Sequence, residues 1–219
     1  MQIQAVTFDV GGTLIEPWPS VGHVYAEVAA RHKLKHFSPD QLNARFKIAW
    51  RARPNFAHTQ KEWNELVTEV FDGSLPPGFF AELYARFAEP DAWHIYEDVL
   101  PALDQLRSRK LKLGVISNWD ERLRPLLHKL NLDHYFTTFA ISLEVGYSKP
   151  SPAIFERAAK ELSLSPNSIL HVGDIPEMDL GGANAAGFQS VVIQRRRPSS
   201  AANISSLAEL AAIIEKSPH

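Results

Sequence analysis

The sequence predicts an α/β fold: a parallel, Rossmann-like sheet core that carries an inserted all-helical domain. Five short apolar runs are rich in strand-forming residues, and helical patterns alternate with the later ones. After the first run, this alternation stops for a long interval. The predicted strands cover residues 3–8, 112–116, 139–142, 169–172 and 190–193.

Four helical patterns place the later strands in a parallel sheet. Apolar residues recur at helical spacing over residues 99–109, 121–130, 153–162 and 204–214. Each pattern is long enough to cross from the end of one strand to the start of a parallel neighbour.

The interval between residues 21 and 87 contains amphipathic helical patterns and no convincing strand. Its four stretches are VYAEVAARHKL, PDQLNARFKIAWRA, KEWNELVTEVF and FFAELYARFA. Prolines at positions 17, 19 and 90 mark the two connections. We therefore expect residues 17–90 to form a small helical domain, and residues 1–16 and 91–219 to form the sheet core.

Composition excludes several classes of function. The chain of 219 residues has no cysteine, which excludes disulfides, zinc fingers and a thiol nucleophile. A formal net charge of −2 argues against a dedicated nucleic-acid-binding surface. The first residues show no secretory leader, and no apolar run approaches the roughly 18 residues of a membrane span, so we expect a cytoplasmic protein.

Polar side chains follow four of the predicted strands. Ligands of open α/β sheets bind at the carboxyl ends of the strands, so these side chains are the candidates for a site. The nine histidines show no metal-binding spacing, and we interpret His171 as part of a strand. The candidates are Asp9 after the first strand, Ser117 and Asn118 after the second, Lys149 after the third, and Asp174 and Asp179 after the fourth.

The segments that carry these residues resemble the four motifs of the haloacid dehalogenase superfamily. The segments are FDVGGTLI, VISNWD, GYSKPSPAIF and HVGDIPEMDLGGANAAG, and they occur in the order and spacing of the family. The helical insert is similar to the type-1 cap of subfamily I. Three further segments, PSVGHVYAEVA, FKIAWRA and EVGYSKP, resemble one branch of the superfamily. Most superfamily members are phosphatases or phosphotransferases, so the resemblance implies a small phosphorylated substrate.

The resemblance implies a nucleophile and a Mg²⁺ site. In the family, the aspartate at the position of Asp9 attacks phosphorus and becomes an aspartyl phosphate, which water then hydrolyses. Mg²⁺ would be held by Asp9, Asp174 and the backbone carbonyl of Gly11, and by Asp179 directly or through water. Oxygen ligands of this kind suit Mg²⁺.

The remaining candidates would bind and orient the reacting groups. By the same resemblance, Thr13 would orient the nucleophile, and Ser117 and Asn118 would hold phosphoryl oxygens. Lys149 would offset negative charge on the nucleophile and on the transferring group. Trp18 lies where the chain leaves the core for the cap, so we consider it a candidate substrate contact.

Gly11 departs from the family pattern. Phosphatases of the family usually carry a second aspartate at this position, which protonates the leaving oxygen and later activates water. Glycine still offers its backbone carbonyl to a metal, but it has no acid. We therefore expect weak activity, restricted to aryl or acyl phosphates whose leaving groups need no proton.

Four alternatives remain open at this point. A degenerate member could bind a phosphorylated ligand or a protein partner without turnover. A 2-haloacid dehalogenase also lacks the second aspartate, although its fourth motif usually lacks the GD kept here. A phosphonate hydrolase would need a Schiff-base lysine in its cap, and no lysine there lies in a recognisable motif. DVGGT also resembles the phosphate hairpin of actin-like sugar kinases, but no second glycine-rich site accompanies it. No feature of the sequence predicts an oligomeric state or identifies the substrate.

Overall fold

The central feature of the fold is a parallel sheet of six strands. In the computed structural model, which describes residues 2–34, 36–200 and 203–216, eight strands form two sheets. In chain order they are β1 (Ala5–Phe8), β2 (Ile15–Pro17), β3 (Trp93–Ile95), β4 (Lys112–Ser117), β5 (Thr138–Ile141), β6 (Ile169–Gly173), β7 (Gln189–Ile193) and β8 (Asn203–Ile204). The large sheet has the order β5-β4-β1-β6-β7-β8, and every adjacent pair is parallel. The predicted parallel α/β fold is confirmed.

β1 lies at the centre of this sheet, between β4 and β6. Its last residue, Phe8, pairs with Val115 of β4 and with Val172 of β6. All four residues of β1 are buried, as expected of a strand that is covered on both faces. The loops that follow β1, β4 and β6 therefore emerge side by side at the carboxyl edge of the sheet.

Helices cover both faces of the sheet. In chain order the helices are α1 (Val21–Arg31), α2 (Pro39–Arg51), α3 (Gln60–Val70), α4 (Phe79–Arg86), α5 (Val99–Ser108), α6 (Leu123–Lys129), α7 (Ser142–Val145), α8 (Pro152–Leu162), α9 (Gly181–Ala185) and α10 (Leu210–Lys216). Phe8 packs in one apolar cluster with Leu103 of α5 and Leu126 of α6. Ala5 belongs to a second cluster with Phe155 of α8. Since Ala5 and Phe8 point to opposite faces of β1, the two clusters form two layers.

Helices α1 to α4 have an apolar core of their own. Val28, Leu42, Leu66 and Phe79, one from each helix, are buried in a cluster separate from those of the sheet. Capping boxes begin α2 and α3. The Ser38 and Thr59 side chains accept a hydrogen bond from the third backbone N–H of each helix, and the side chain of that third residue, a glutamine or a glutamate, accepts one from the backbone N–H of the capping residue. The four predicted helical patterns thus correspond to four helices.

A short antiparallel sheet joins the two ends of the helical segment. Ile15 of β2 pairs with Ile95 of β3, and Pro17 pairs with Trp93. The chain therefore leaves and re-enters the core through one ribbon. On this basis we propose the division into a helical domain at 17–90 and a core at 1–16 and 91–219.

The predicted helix over residues 204–214 is wrong at its start. Ile204 lies in β8, at the edge of the sheet. The Ser206 hydroxyl accepts a hydrogen bond from the Ala208 backbone N–H at 3.2 Å and so caps a 3₁₀ turn, Leu207–Glu209, which precedes α10. Strands of two or three residues, such as β2, β3 and β8, are too short for a periodic pattern to show.

Within the described part of the chain, no helix has the length and apolar character that crossing a membrane requires.

Candidate functional site

Asp9 lies immediately after β1 and accepts two hydrogen bonds on the same oxygen. Its backbone N–H donates to the Val172 carbonyl at 2.9 Å, which holds the start of the loop against β6. The Ser117 hydroxyl donates to Asp9 Oδ1 at 2.9 Å, and Lys149 Nζ donates to that oxygen at 2.7 Å. Three segments that are distant in the sequence therefore meet at the Asp9 carboxylate.

Lys149 is buried and joins two carboxylates. Its Nζ donates to Asp9 Oδ1 and, at 2.6 Å, to Asp179 Oδ1. Burial alone would lower the pKa of the Lys149 ammonium, but the negative charges of Asp179 and Asp9 outweigh burial and raise that pKa. Lys149 is therefore a fixed positive charge at neutral pH.

The carboxylates respond differently to this environment. Burial raises the pKa of Asp9, and the charge of Asp179 adds to the effect while Lys149 opposes it. Burial also disfavours ionised Asp179, but Lys149 and His171 more than offset burial and hold the pKa of Asp179 below its usual range. Burial, with the charges of Asp9 and Asp179, raises the pKa of Asp174 to about 7. Asp174 is thus the carboxyl that most lacks a positive partner.

Asn118 clamps the backbone of Lys149. The Asn118 Nδ2 group donates to the Lys149 carbonyl at 3.0 Å, and the Lys149 backbone N–H donates to Asn118 Oδ1 at 2.7 Å. The amide of Asn118 therefore ties the loop after β4 to the loop after α7. In this arrangement Asn118 positions the Lys149 ammonium.

Two glycines make room for the carboxylates that follow β6. Gly12 has a φ of +77°, and a Cβ there would collide with the Asp174 carboxylate. A Cβ on Gly173, the last residue of β6, would collide with the Asp179 carboxylate. Any side chain at these positions would therefore displace the acidic groups.

Three carboxylates lie close enough together to share a cation. Oxygens of Asp9, Asp174 and Asp179 lie within 4.8 Å of one another. Asp174 Oδ1 is buried and has no hydrogen-bond partner among the described residues, which is costly unless another ligand binds that oxygen. Asp179 already accepts from Lys149, from His171 and from the Ile175 backbone N–H at 2.9 Å. The donor set fits a hard divalent cation, with Asp174 as the unsatisfied ligand.

His171 belongs to a buried network that sequence reasoning missed. It lies in the middle of β6 and is fully buried. Thr7 Oγ1 lies 3.0 Å from His171 Nδ1, and His171 Nε2 lies 3.2 Å from Asp179 Oδ1. Burial lowers the pKa of His171, and a neutral imidazole fits a Thr7 hydroxyl that donates to Nδ1 and an Nε2–H that donates to Asp179. A polar residue inside the apolar run ILHV was the available signal.

Thr13 is buried, and its hydroxyl makes no hydrogen bond to Asp9. Its Oγ1 has no hydrogen-bond partner among the described residues, whereas its backbone carbonyl accepts from Arg195 Nε at 3.2 Å. Orientation of the nucleophile by Thr13 therefore stays a prediction.

A cavity of about 1270 Å³ lies over Asp9, between the carboxyl edge of the sheet and helices α1 to α4. Its floor includes Asp9, Ser117, Lys149 and Asp174. Trp18 does not line the cavity: it is 50% exposed and packs on the ring of His94. The structure therefore brings the strand-end candidates together and leaves Trp18 outside.

Trp119 occupies the space beside Gly11. A Cβ built on Gly11 would lie 3.3 Å from Trp119 Cζ3, which is a tight contact. The φ of Gly11 is not positive, so its backbone would accept other residues. An aromatic ring thus stands next to the position where phosphatases of the family usually carry the acid.

The loop after β4 also binds the helical segment. Asp120 is fully buried and accepts from Trp63 Nε1 of α3 at 2.9 Å and from Arg122 Nε at 2.8 Å. The Arg122 guanidinium lies 3.5 Å from the centroid of the Tyr84 ring of α4. These contacts close the cavity on one side. The sequence signal was the charged run DER directly after SNW.

The chain is similar to known hydrolases over most of its length. The family model for haloacid dehalogenase-like hydrolases matches residues 3–187. Haloacid dehalogenase-like hydrolase domain-containing protein 3 from Homo sapiens is 31% identical over 208 residues, which cover 88% of this chain and 82% of the relative. Glyceraldehyde 3-phosphate phosphatase from Methanopyrus kandleri is 32% identical over 217 residues, which cover 88% of this chain and 84% of that protein.

A solved structure supports the same assignment. The crystal structure of a HAD phosphatase from Thermococcus onnurineus has a TM-score of 0.70 and 26% identity, and the match covers 97% of this chain and 98% of that one. The human relative represents the branch that the segments PSVGHVYAEVA, FKIAWRA and EVGYSKP resemble. Because the family model spans both the helical segment and most of the sheet, the protein belongs to the haloacid dehalogenase-like hydrolase family.

Proposed function

We propose that the protein is a Mg²⁺-dependent phosphate-ester hydrolase that forms an aspartyl phosphate on Asp9. The observation that carries the proposal is the meeting of Asp9, Ser117, Lys149 and Asp174 on the floor of one cavity. The M. kandleri relative, which is named as a phosphatase, supports phosphate esters as the substrate class.

Mg²⁺ would bind to Asp9, Asp174 and the backbone carbonyl of Gly11, with Asp179 acting directly or through water. The unpartnered, buried Oδ1 of Asp174 supports this assignment. When bound, the cation neutralises negative charge on the phosphoryl group and on the carboxylates around it.

The reaction uses Asp9 as the nucleophile. A carboxylate oxygen of Asp9 forms a bond to phosphorus, and the bond between phosphorus and the leaving-group oxygen breaks, with its electron pair departing on that oxygen. Water then attacks the phosphorus of the aspartyl phosphate, and the bond between phosphorus and the Asp9 oxygen breaks with its electron pair returning to the carboxylate. The protons of the water leave on the inorganic phosphate. Ser117 and Lys149 hold phosphoryl oxygens, and the fixed charge of Lys149 reduces repulsion between Asp9 and an anionic ester.

The absence of a side chain at Gly11 limits which leaving groups can depart. Without an acid beside it, the leaving oxygen must depart unprotonated, and a missing general acid typically costs about 10²- to 10⁴-fold in rate. The rate falls least for aryl and acyl phosphates, because phenolates and carboxylates are stable anions. Alkyl phosphates are therefore poor substrates in this proposal.

A binding protein without turnover is the second candidate. Trp119 beside Gly11 favours it, because an apolar ring stands next to the place of the acid. The 2-haloacid dehalogenase alternative has less support, because the Asp174 carboxyl suits a metal that dehalogenation does not use.

The test is a phosphate-ester panel assayed with Mg²⁺ and with a chelator. We expect Mg²⁺-dependent release of phosphate from p-nitrophenyl phosphate and acetyl phosphate, and turnover of glucose 6-phosphate that is lower by about 10²-fold or more. In parallel, Mg²⁺ should raise the melting temperature of the wild type but not of Asp174→Asn, since a ligand of the folded state stabilises it. Phosphate binding without turnover of any ester would identify the binding protein instead, and chloride release from 2-chloropropionate without Mg²⁺ would identify a dehalogenase.

Gly11→Asp should restore turnover of alkyl phosphates when Trp119 is made smaller. In the single variant, Trp119 must give way by a few tenths of an ångström, so we expect only a small gain. Combined with Trp119→Phe, the new carboxyl can act as the acid, and glucose 6-phosphate turnover should rise by about 10²-fold. Gly11→Asn with Trp119→Phe is the matched control, because it has the same size and no acid. An equal gain in that control would contradict the assignment of Gly11 as the missing acid.

A further inference from the structure

The cavity wall beside Asp9 is built of aromatic side chains that contact one another in series. It begins at Trp119, next to Gly11. The Trp119 ring lies 5.1 Å from that of Trp93, and the Trp93 ring lies 5.8 Å from that of Phe87. All three rings line the cavity.

The series continues into the helical segment. Ring centroids are 5.9 Å apart from Phe87 to Tyr25, from Tyr25 to Phe46 and from Phe46 to Trp50. Trp50 and Trp63 then stack at 5.7 Å with an angle of 18° between their planes. These four rings line the cavity as well. We call the continuous series from Trp119 to Trp63 the aromatic wall.

The aromatic wall has few free charges around it. Arg53 donates to Glu69 at 2.6 Å, and Arg122 donates to Asp120 at the same distance, so both guanidinium groups already have carboxylate partners. Burial lowers the pKa of His58 to about 4, so this imidazole among the wall's rings is neutral at pH 7. Arg51, which also lines the cavity, is exposed to solvent.

From these contacts we infer that the aromatic wall binds the leaving group of the substrate, and that this group is a large, planar, uncharged aromatic. The inference deepens the proposed function and rests on it. Aromatic rings favour an aromatic partner, either stacked or edge to face, and a cavity of about 1270 Å³ far exceeds the volume of a phosphate group. The wall starts at Gly11, where the leaving oxygen must depart without a proton, and a polycyclic phenolate meets that requirement.

The test measures binding without turnover. Three phosphonates, which Asp9 does not cleave, are titrated into the wild type with Mg²⁺ by calorimetry: naphthylmethyl, decahydronaphthylmethyl and methyl phosphonate. We expect naphthylmethyl phosphonate to bind about 30-fold more tightly than methyl phosphonate, and several-fold more tightly than its saturated analogue. Equal affinity for the naphthyl and methyl compounds would overturn the inference, and equal affinity for the naphthyl and saturated compounds would overturn its aromatic part.

Variants of α2 locate the binding surface. Trp50→Leu keeps apolar bulk but removes one aromatic ring of the wall, and it should weaken naphthylmethyl phosphonate binding by about tenfold while leaving methyl phosphonate binding unchanged. Trp50→Phe keeps a ring and should weaken naphthylmethyl phosphonate binding less. Ile48→Ala, on the same helix but 69% exposed, is the control. If Trp50→Leu does not fold, the comparison of the three phosphonates on the wild type still tests whether the cavity prefers an aromatic group.

The two proposals fail separately in this experiment. Discrimination among phosphonates without hydrolysis of any phosphate ester would keep the aromatic site and contradict the hydrolase. Hydrolysis of p-nitrophenyl phosphate without discrimination among phosphonates would keep the hydrolase and overturn the aromatic site.

Discussion

Asp9→Asn is expected to lower kcat for p-nitrophenyl phosphate by about 10³-fold or more, because an amide oxygen is a poor nucleophile and forms no stable acyl phosphate. The substitution keeps the shape of the side chain, and Ser117 and Lys149 can still donate to its oxygen. Phosphate release with Mg²⁺ measures the effect. Asp104→Asn is the control, since that carboxylate is exposed on α5. Retained activity would show that another residue is the nucleophile.

The same variant should not be less stable than the wild type. Asp9 and Asp179 share Lys149 and lie close to Asp174, and burial together with the charge of Asp179 raises the pKa of Asp9. Removing the Asp9 charge relieves this repulsion, while Asp179 still neutralises Lys149. Thermal unfolding of the metal-free protein should therefore show an unchanged or higher melting temperature, which separates loss of chemistry from loss of fold.

Lys149→Met is expected to destabilise the metal-free protein by about 3–5 kcal/mol. Lys149 neutralises two buried carboxylates, and loss of one partner of a buried ion pair leaves uncompensated charge. Methionine preserves the length of the side chain and its packing, so the loss of stability measures the effect of the missing charge. Urea unfolding at pH 7 provides the free energy of unfolding.

Two further measurements test this explanation. Mg²⁺ should recover part of the lost stability, because a cation on the same carboxylates replaces the missing charge. Lys160→Met, on the exposed face of α8, should change the free energy of unfolding little. A Lys149→Met protein as stable as the wild type would mean that the carboxylates take up protons when the lysine is absent. In that case its stability should fall as pH rises.

The placement of the strand-end residues could be predicted because it depends on local pattern. Buried parallel strands appear as apolar runs, and their carboxyl ends share one edge of the sheet whatever the details of packing. That reasoning led to Asp9, Ser117, Lys149 and Asp174, which the structure brings together. It did not show that Asn118 clamps the Lys149 backbone. An asparagine after a strand looks the same in the sequence whether it binds a phosphoryl oxygen or positions another residue.

The sequence by itself determined the α/β fold, the helical insert and the family, because periodicity and motif spacing are properties of neighbouring residues. Only the tertiary structure decided which partners the key groups have. The Thr7–His171–Asp179 network, the contact of Trp119 with Gly11 and the aromatic wall all join residues that are far apart in the chain. The network and the Trp119 contact depend on how the strand ends of the core come together, and the aromatic wall depends on how the helical segment lies over the sheet. No local pattern encodes either arrangement. Gly11 is visible in the sequence, but the ring that fills the space beside it is visible only in the fold.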